Sequence, residues 1–144
     1  MLGYYKNEEA TRQALDKDGW YHTGDLGTMD DDGNICIRGR IKNMLLGANG
    51  QNVYPEEIED KLSSMPMVSE CMVVQRGEKL VALVYPDQDE LMNFTQQELK
   101  DIMEQNRHDL NLLLPAYSRL AQIEMRTEEF QKTPKKSIKR YLYQ

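Results

Sequence analysis

Two apolar runs, Val68 to Gln75 and Lys79 to Tyr85, flank Arg76-Gly77-Glu78. Strand-forming residues on both sides of a short glycine turn predict a β-hairpin. A helix is predicted soon after. Thr95 and Glu98 have the spacing of a capping box, and Leu99, Ile102, Met103, Leu110 and Leu113 continue an apolar stripe up to Pro115. A further strand, Leu120 to Met125, precedes a tail holding Lys132, Lys135, Lys136, Lys139 and Arg140. A hairpin interleaved with helices makes this region a small α+β domain with a short mixed or antiparallel sheet.

Upstream, Met44-Leu45-Leu46 reads as a short strand broken by Gly47-Ala48-Asn49-Gly50. Pro55 suits the first turn of a helix, and Glu56 and Glu57 suit its positive end. Ile58, Leu62 and Met65 form that helix's apolar stripe, and Pro66 stops it. Nearer the N-terminus, Glu8 to Leu15 is a short helix with Ala10, Ala14 and Leu15 on one side. Trp20 to Thr23 is expected to be a short strand ended by Gly24-Asp25, and Thr28 to Arg40 a hairpin around Asp30-Asp31-Asp32-Gly33-Asn34.

Length and charge exclude several classes. At 144 residues the chain suits one domain, or a small domain carrying part of a neighbour. With 40% hydrophobic residues it can build a core. A net charge of −6 argues against a general nucleic-acid binder. No apolar run approaches the roughly 18 residues of a membrane span, and no signal-peptide h-region opens the chain, so a soluble, cytoplasmic protein is expected. Cys36 and Cys71 lie in apolar stretches and read as reduced, buried thiols, with one disulfide left open. His22 and His108 lie near no cysteine pair, and the Asp30–Asn34 turn lacks the glutamate of a calcium loop. No metal site is expected.

Three features point to chemistry. The Gly24-Asp25 corner places a carboxylate where it could accept hydrogen bonds from a diol such as a ribose, though alone it reads as an Asx turn. Arg40, at the junction between units, could grip ribose or phosphate oxygens bidentately, and the glycine-containing loop after it admits close approach of a ligand. Five cations crowd the tail from Lys132 to Arg140. Without context that tail reads as solvated.

In this order the features resemble one family, over nearly the whole chain from Gly3 to Arg140. The segments Gly19-Trp20-Tyr21-His22-Thr23-Gly24-Asp25-Leu26-Gly27, Gly39-Arg40 and Asn49-Gly50-Gln51-Asn52-Val53-Tyr54-Pro55-Glu56-Glu57-Ile58-Glu59 look like the C-terminal part of adenylate-forming enzymes. The form of the last segment is that of the long-chain fatty-acyl-CoA synthetase branch. The resemblance implies a ligase that uses ATP with Mg2+ to make an acyl-adenylate and then passes the acyl group to coenzyme A. The small domain rotates between these half-reactions. It implies that Asp25 and Arg40 contact the ribose of ATP, that Lys42 is the hinge, and that Gly50 borders the coenzyme A channel. The family's adenylation lysine lies in a motif of the form Thr-x-x-Gly-Lys-Ile-x-Arg. Aligned on Ile138 and Arg140, this chain has Ser137 in the lysine slot and Lys136 in the glycine slot, so Lys136 is taken as the ammonium donor.

The resemblance further implies that residues 1–40 end a large AMP-binding domain and that 41–144 form the mobile domain, with the hinge near 40–42. The rest of the large domain would be the chain's main partner, fatty acid and coenzyme A the substrates, and the chain alone a fragment or truncation without activity. Weak peripheral membrane contact through the tail is a further expectation. Two other readings stay open: the small domain of a carrier-protein-dependent adenylation enzyme, and a non-catalytic binding module of the same fold.

Overall fold

The computed structural model describes residues 1–47 and 49–144; Ala48, in the glycine loop named above, lies outside the described residues. Its contacts divide into two compact units, Met1–Lys42 and Asn43–Gln144.

In the first unit, α1 (Glu8–Ala14) is capped by Asn7, whose side chain accepts a hydrogen bond from the Ala10 amide. Trp20 to Thr23 does not form the expected strand. Tyr21 makes a single bridge to Leu15, and Asp16 draws the chain into a loop instead: its Oδ1 accepts from the amides of Trp20 (2.8 Å) and Asp18 (3.0 Å). Those amides hold the Asp16 carboxyl below its usual range. The hairpin is present as β1 (Asp25–Met29) and β2 (Ile35–Arg40), closed by Asp30, whose carboxylate accepts from the amides of Asp32 and Asn34. Ile35, Cys36 and Ile37 are exposed, so the expected burial of Cys36 does not hold. Among the described residues of this unit, the two-stranded ribbon has no third strand to extend it.

In the second unit, β3 (Leu45–Leu46) pairs antiparallel with β4 (Asn52–Val53), a strand too short to be legible beforehand. Then α2 (Pro55–Leu62) begins on its proline; it ends before Met65, which packs against the core from the following turn. The central sheet has the order β5 (Val68–Arg76), β6 (Lys79–Pro86) and β7 (Leu120–Met125). β5 and β6 form the hairpin, and β7 lies parallel to β6. A parallel neighbour needs a long crossover, supplied by α3 (Gln88–Leu91) and α4 (Gln96–Leu113). The Thr95–Glu98 capping box is formed in both directions. Leu99, Met103 and Leu110 face the core, but Leu113 is exposed and Leu114 takes the buried place, because the helix has ended and the chain turns.

β6 is buried on both faces. Leu80, Ala82 and Val84 join α2 and α4 in the larger core, while Val81 and Leu83 pack with Met72, Val74 and Phe130. The second face is covered by the tail, with Phe130 only 3% exposed and Ile138 and Tyr143 beside it. The tail is therefore part of the fold rather than solvated. Arg126 lies over the rings of both Phe130 (4.9 Å) and Tyr143 (4.7 Å), fastening the end of the chain. No helix among the described residues is long and apolar enough to cross a membrane.

Candidate functional site

In the first unit the ribbon brings Asp25 and Arg40 together. They are directly opposite residues at the ends of β1 and β2. Arg40 Nε lies 2.9 Å from Asp25 Oδ1, and its Nη1 donates to the Thr23 carbonyl at 2.9 Å. Asp25 opens a strand rather than sitting on a turn, and Gly24 before it is left-handed, with φ +75°. Arg40 is mostly solvent-exposed, so the pair contributes little to stability. Its consequence is placement: a carboxylate and a guanidinium stand side by side, both able to meet hydroxyls. Lys42 lies in a single 3-10 turn, Ile41–Asn43, where the first unit ends.

In the second unit Gly50 sits in the loop between β3 and β4, left-handed at φ +72° and donating to the Gly47 carbonyl at 2.8 Å. The tail forms its own small hairpin. Lys132 bridges Ile138, the Thr133 amide donates to the Ser137 carbonyl (2.8 Å), and the Lys136 amide donates to the Thr133 carbonyl (2.8 Å). This leaves a three-residue loop, Pro134-Lys135-Lys136, whose last residue is left-handed with φ +62°. Such loops normally place glycine there. A glycine in the place of Lys136 would adopt this backbone without strain. Lys136 is exposed at the tip, while Ser137 is held by the loop's backbone pairing.

Beneath the hairpin is a cleft of about 380 Å³ lined by Glu56, Glu59, Glu70, Cys71, Lys132 and Lys136, among others. Arg140 Nη1 grips both oxygens of Glu59, at 2.8 and 2.9 Å, and its Nη2 donates to the Val73 carbonyl. The Val73 amide in turn donates to Glu59 Oε1 at 2.6 Å. Burial pushes the Glu59 carboxyl above its usual range, and Arg140 and the Val73 amide only partly offset this. Lys132 pairs with Glu129 and Glu70, which raise its affinity for the proton.

Sequence reasoning missed Glu59, Glu70 and the structural roles of Lys132 and Arg140. A signal was present for Glu59: Pro55, Ile58, Glu59 and Leu62 are spaced i, i+3, i+4, i+7, so a carboxylate sits inside the apolar stripe and needs a buried cation. Nothing local names the cation, which is 81 residues away.

Cys71 is mostly buried, donates to the Glu59 carbonyl, and has its thiol pushed up to about 12 chiefly by burial. Cys36 is exposed. A thiol reagent at neutral pH is therefore expected to modify one cysteine quickly in the native 144-residue chain and the second only after denaturation. Peptide mapping that found Cys71 modified first would contradict this arrangement.

Residues 42–143 match the family described as AMP-binding enzyme C-terminal domain. A long-chain-fatty-acid–CoA ligase of Gallus gallus is 46% identical over 85 residues, which cover 58% of this chain and 11% of the relative. The chain thus spans about a tenth of that protein's length. Among solved structures, the adenylation domain of a carboxylate reductase of Mycobacterium chelonae superposes with a TM-score of 0.82 at 25% identity, over 97% of this chain and 24% of that one. ATP-bound MatB of Rhodopseudomonas palustris gives 0.72 at 27% identity, over 97% and 27%. With 102 of its residues inside the matched segment, the chain belongs to the AMP-binding enzymes, through their C-terminal domain.

Proposed function

We propose that this chain acts within an acid–thiol ligase that activates a long-chain fatty acid. In the first half-reaction a carboxylate oxygen of the acid attacks the α-phosphorus of ATP and pyrophosphate leaves. In the second, the thiol of coenzyme A attacks the acyl carbonyl and AMP leaves. The reading is carried by the 46% identity to a ligase named for that substrate class. Residues 1–40 would complete an ATP-holding body, and 41–144 would be the mobile domain, turning about Lys42.

The paired Asp25 and Arg40 suit a ribose: the carboxylate accepts from its hydroxyls, and the guanidinium fixes the carboxylate and donates to the ring side. Lys136, at the exposed tip of the tail hairpin, would place an ammonium against the charge that builds between carboxylate and α-phosphate. Gly50 would let the pantetheine arm pass close to the backbone. Magnesium would arrive on the ATP phosphates. Among the described residues, no three of His, Cys, Asp and Glu stand together as ligands for it.

The test is acid-dependent exchange of pyrophosphate into ATP. The ligase containing this chain is expected to exchange with long-chain acids and to transfer the acyl group to free coenzyme A. The 144 residues alone are expected to show no exchange. Robust exchange by the isolated chain, or transfer only to a phosphopantetheinyl carrier protein, would overturn the reading.

A further inference from the structure

The tail hairpin is held at both feet. On the incoming arm, Lys132 is tied to Glu70 of β5 and to Glu129. On the outgoing arm, Arg140 makes a two-pronged contact with Glu59 of α2 and a third bond to the Val73 carbonyl of β5. The Arg140 clasp is largely out of solvent, with the Glu59 and Arg140 side chains each 15% exposed; in the other, Glu70 is 17% and Lys132 29% exposed while Glu129 lies open. Between the feet the loop is braced by its own backbone bonds and by the Thr133 hydroxyl, which accepts from the Ser137 amide at 3.3 Å, and Lys136 stands in the left-handed place at its tip. The spacing gives this arrangement meaning. A three-residue loop is too short to choose its own direction, so the two feet decide where the tip points.

We infer that Glu59 and Glu70 are positioning residues for adenylation, acting through the tail hairpin to aim the Lys136 ammonium. This rests on the reading of Lys136 as the group that meets the α-phosphate. Each carboxylate is bonded to a cation of the hairpin's own arms, Glu59 to Arg140 and Glu70 to Lys132. Both are anchored to elements of the sheet-and-helix core, so the loop inherits the rigidity of that core rather than the mobility of a chain end. A misplacement of the order of 1 Å at a charge-stabilising group is enough to lower a rate by about a hundredfold. Loosening one foot should move the tip by less than that and cost correspondingly less.

The experiment uses the ligase containing this chain, with the two half-reactions measured apart: pyrophosphate exchange for adenylation, and coenzyme A transfer from preformed acyl-adenylate for thioester formation. E59Q and E70Q are each expected to lower kcat for adenylation about tenfold. KM for ATP and acid, and the rate of acyl transfer, should stay within about twofold, because the loop serves the first half-reaction only. Equal losses in both half-reactions, or a loss appearing only in KM, would reduce the clasps to general structural supports and overturn the inference. If E59Q fails to fold, E70Q decides the matter alone, since its pair lies away from the α2 core stripe. K136A run in parallel separates the two levels of argument. Unchanged exchange in K136A removes the lysine reading and this inference with it. A large loss in K136A with none in E59Q or E70Q removes the inference alone.

Discussion

Replacing Arg140 with methionine is expected to destabilise the 144-residue chain by about 3–5 kcal/mol at neutral pH, the usual consequence of leaving one member of a buried pair uncompensated. Arg140 is the partner of both Glu59 oxygens, and its side chain is largely buried. The size of the effect should depend on pH in a definite direction. The Glu59 carboxyl already lies above its usual range because of burial, with Arg140 the largest influence pulling it down and Glu56 adding to the upward push. Removing Arg140 raises it further. A carboxyl whose folded value exceeds its unfolded value, about 4.3, favours the folded state most below that unfolded value and loses this advantage as pH rises through the folded one. The R140M deficit is therefore expected to shrink as pH falls from 7 toward 5 and to grow again on return. Urea unfolding of both proteins across that range measures it. The double variant E59Q/R140M removes the buried charge altogether and should recover most of the lost stability. A deficit under about 1 kcal/mol, or one that widens on acidification, would mean the pair is solvated and not buried as described.

If the proposed ligase reading and the assignment of Lys136 hold, Lys136→Ala in the protein containing this chain is expected to reduce adenylation by about 10²–10³, the range for losing one preorganised group that meets developing charge. Alanine shares lysine's reluctance to adopt φ +62°, so the comparison isolates the ammonium from the loop's conformation. The reciprocal variant K136G/S137K is the sharper probe. It puts glycine where the loop is left-handed and lysine in the slot next to it, and it should retain adenylation while easing the backbone. Pyrophosphate exchange by each variant reads the result. Loss of exchange in K135A or K139A with K136A unaffected would assign the ammonium to a different lysine.

Local spacing made much of the fold legible. The Thr95–Glu98 capping box, the Pro55 helix start and the Arg76-Gly77-Glu78 turn are each decided within a few residues, and each is realised. The failures share a cause too. Trp20 to Thr23 has strand-like residues, yet Asp16 captures the Trp20 amide and the strand does not form. Cys36 sits among isoleucines, yet the β1–β2 ribbon leaves all three exposed. Leu113 has the right helical period but falls where the helix ends, and Leu114 is buried instead. In each case hydrophobic pattern alone was outweighed: at Trp20 by a local side-chain hydrogen bond, and at Cys36 and Leu113 by what packs there, neither of which periodicity encodes.

For the candidate site, residue type and order singled out Asp25, Arg40 and the lysine-rich tail, whereas Lys42 and Gly50 were named only through the resemblance to a family. Only the tertiary structure decided that Asp25 and Arg40 face each other across a ribbon, that Lys136 is left-handed, and that the tail is clasped to α2 and β5. A buried carboxylate in a helix stripe announces that it needs a cation. Which cation answers is settled by where the chain returns after 81 residues, and that depends on the packing of the whole sheet.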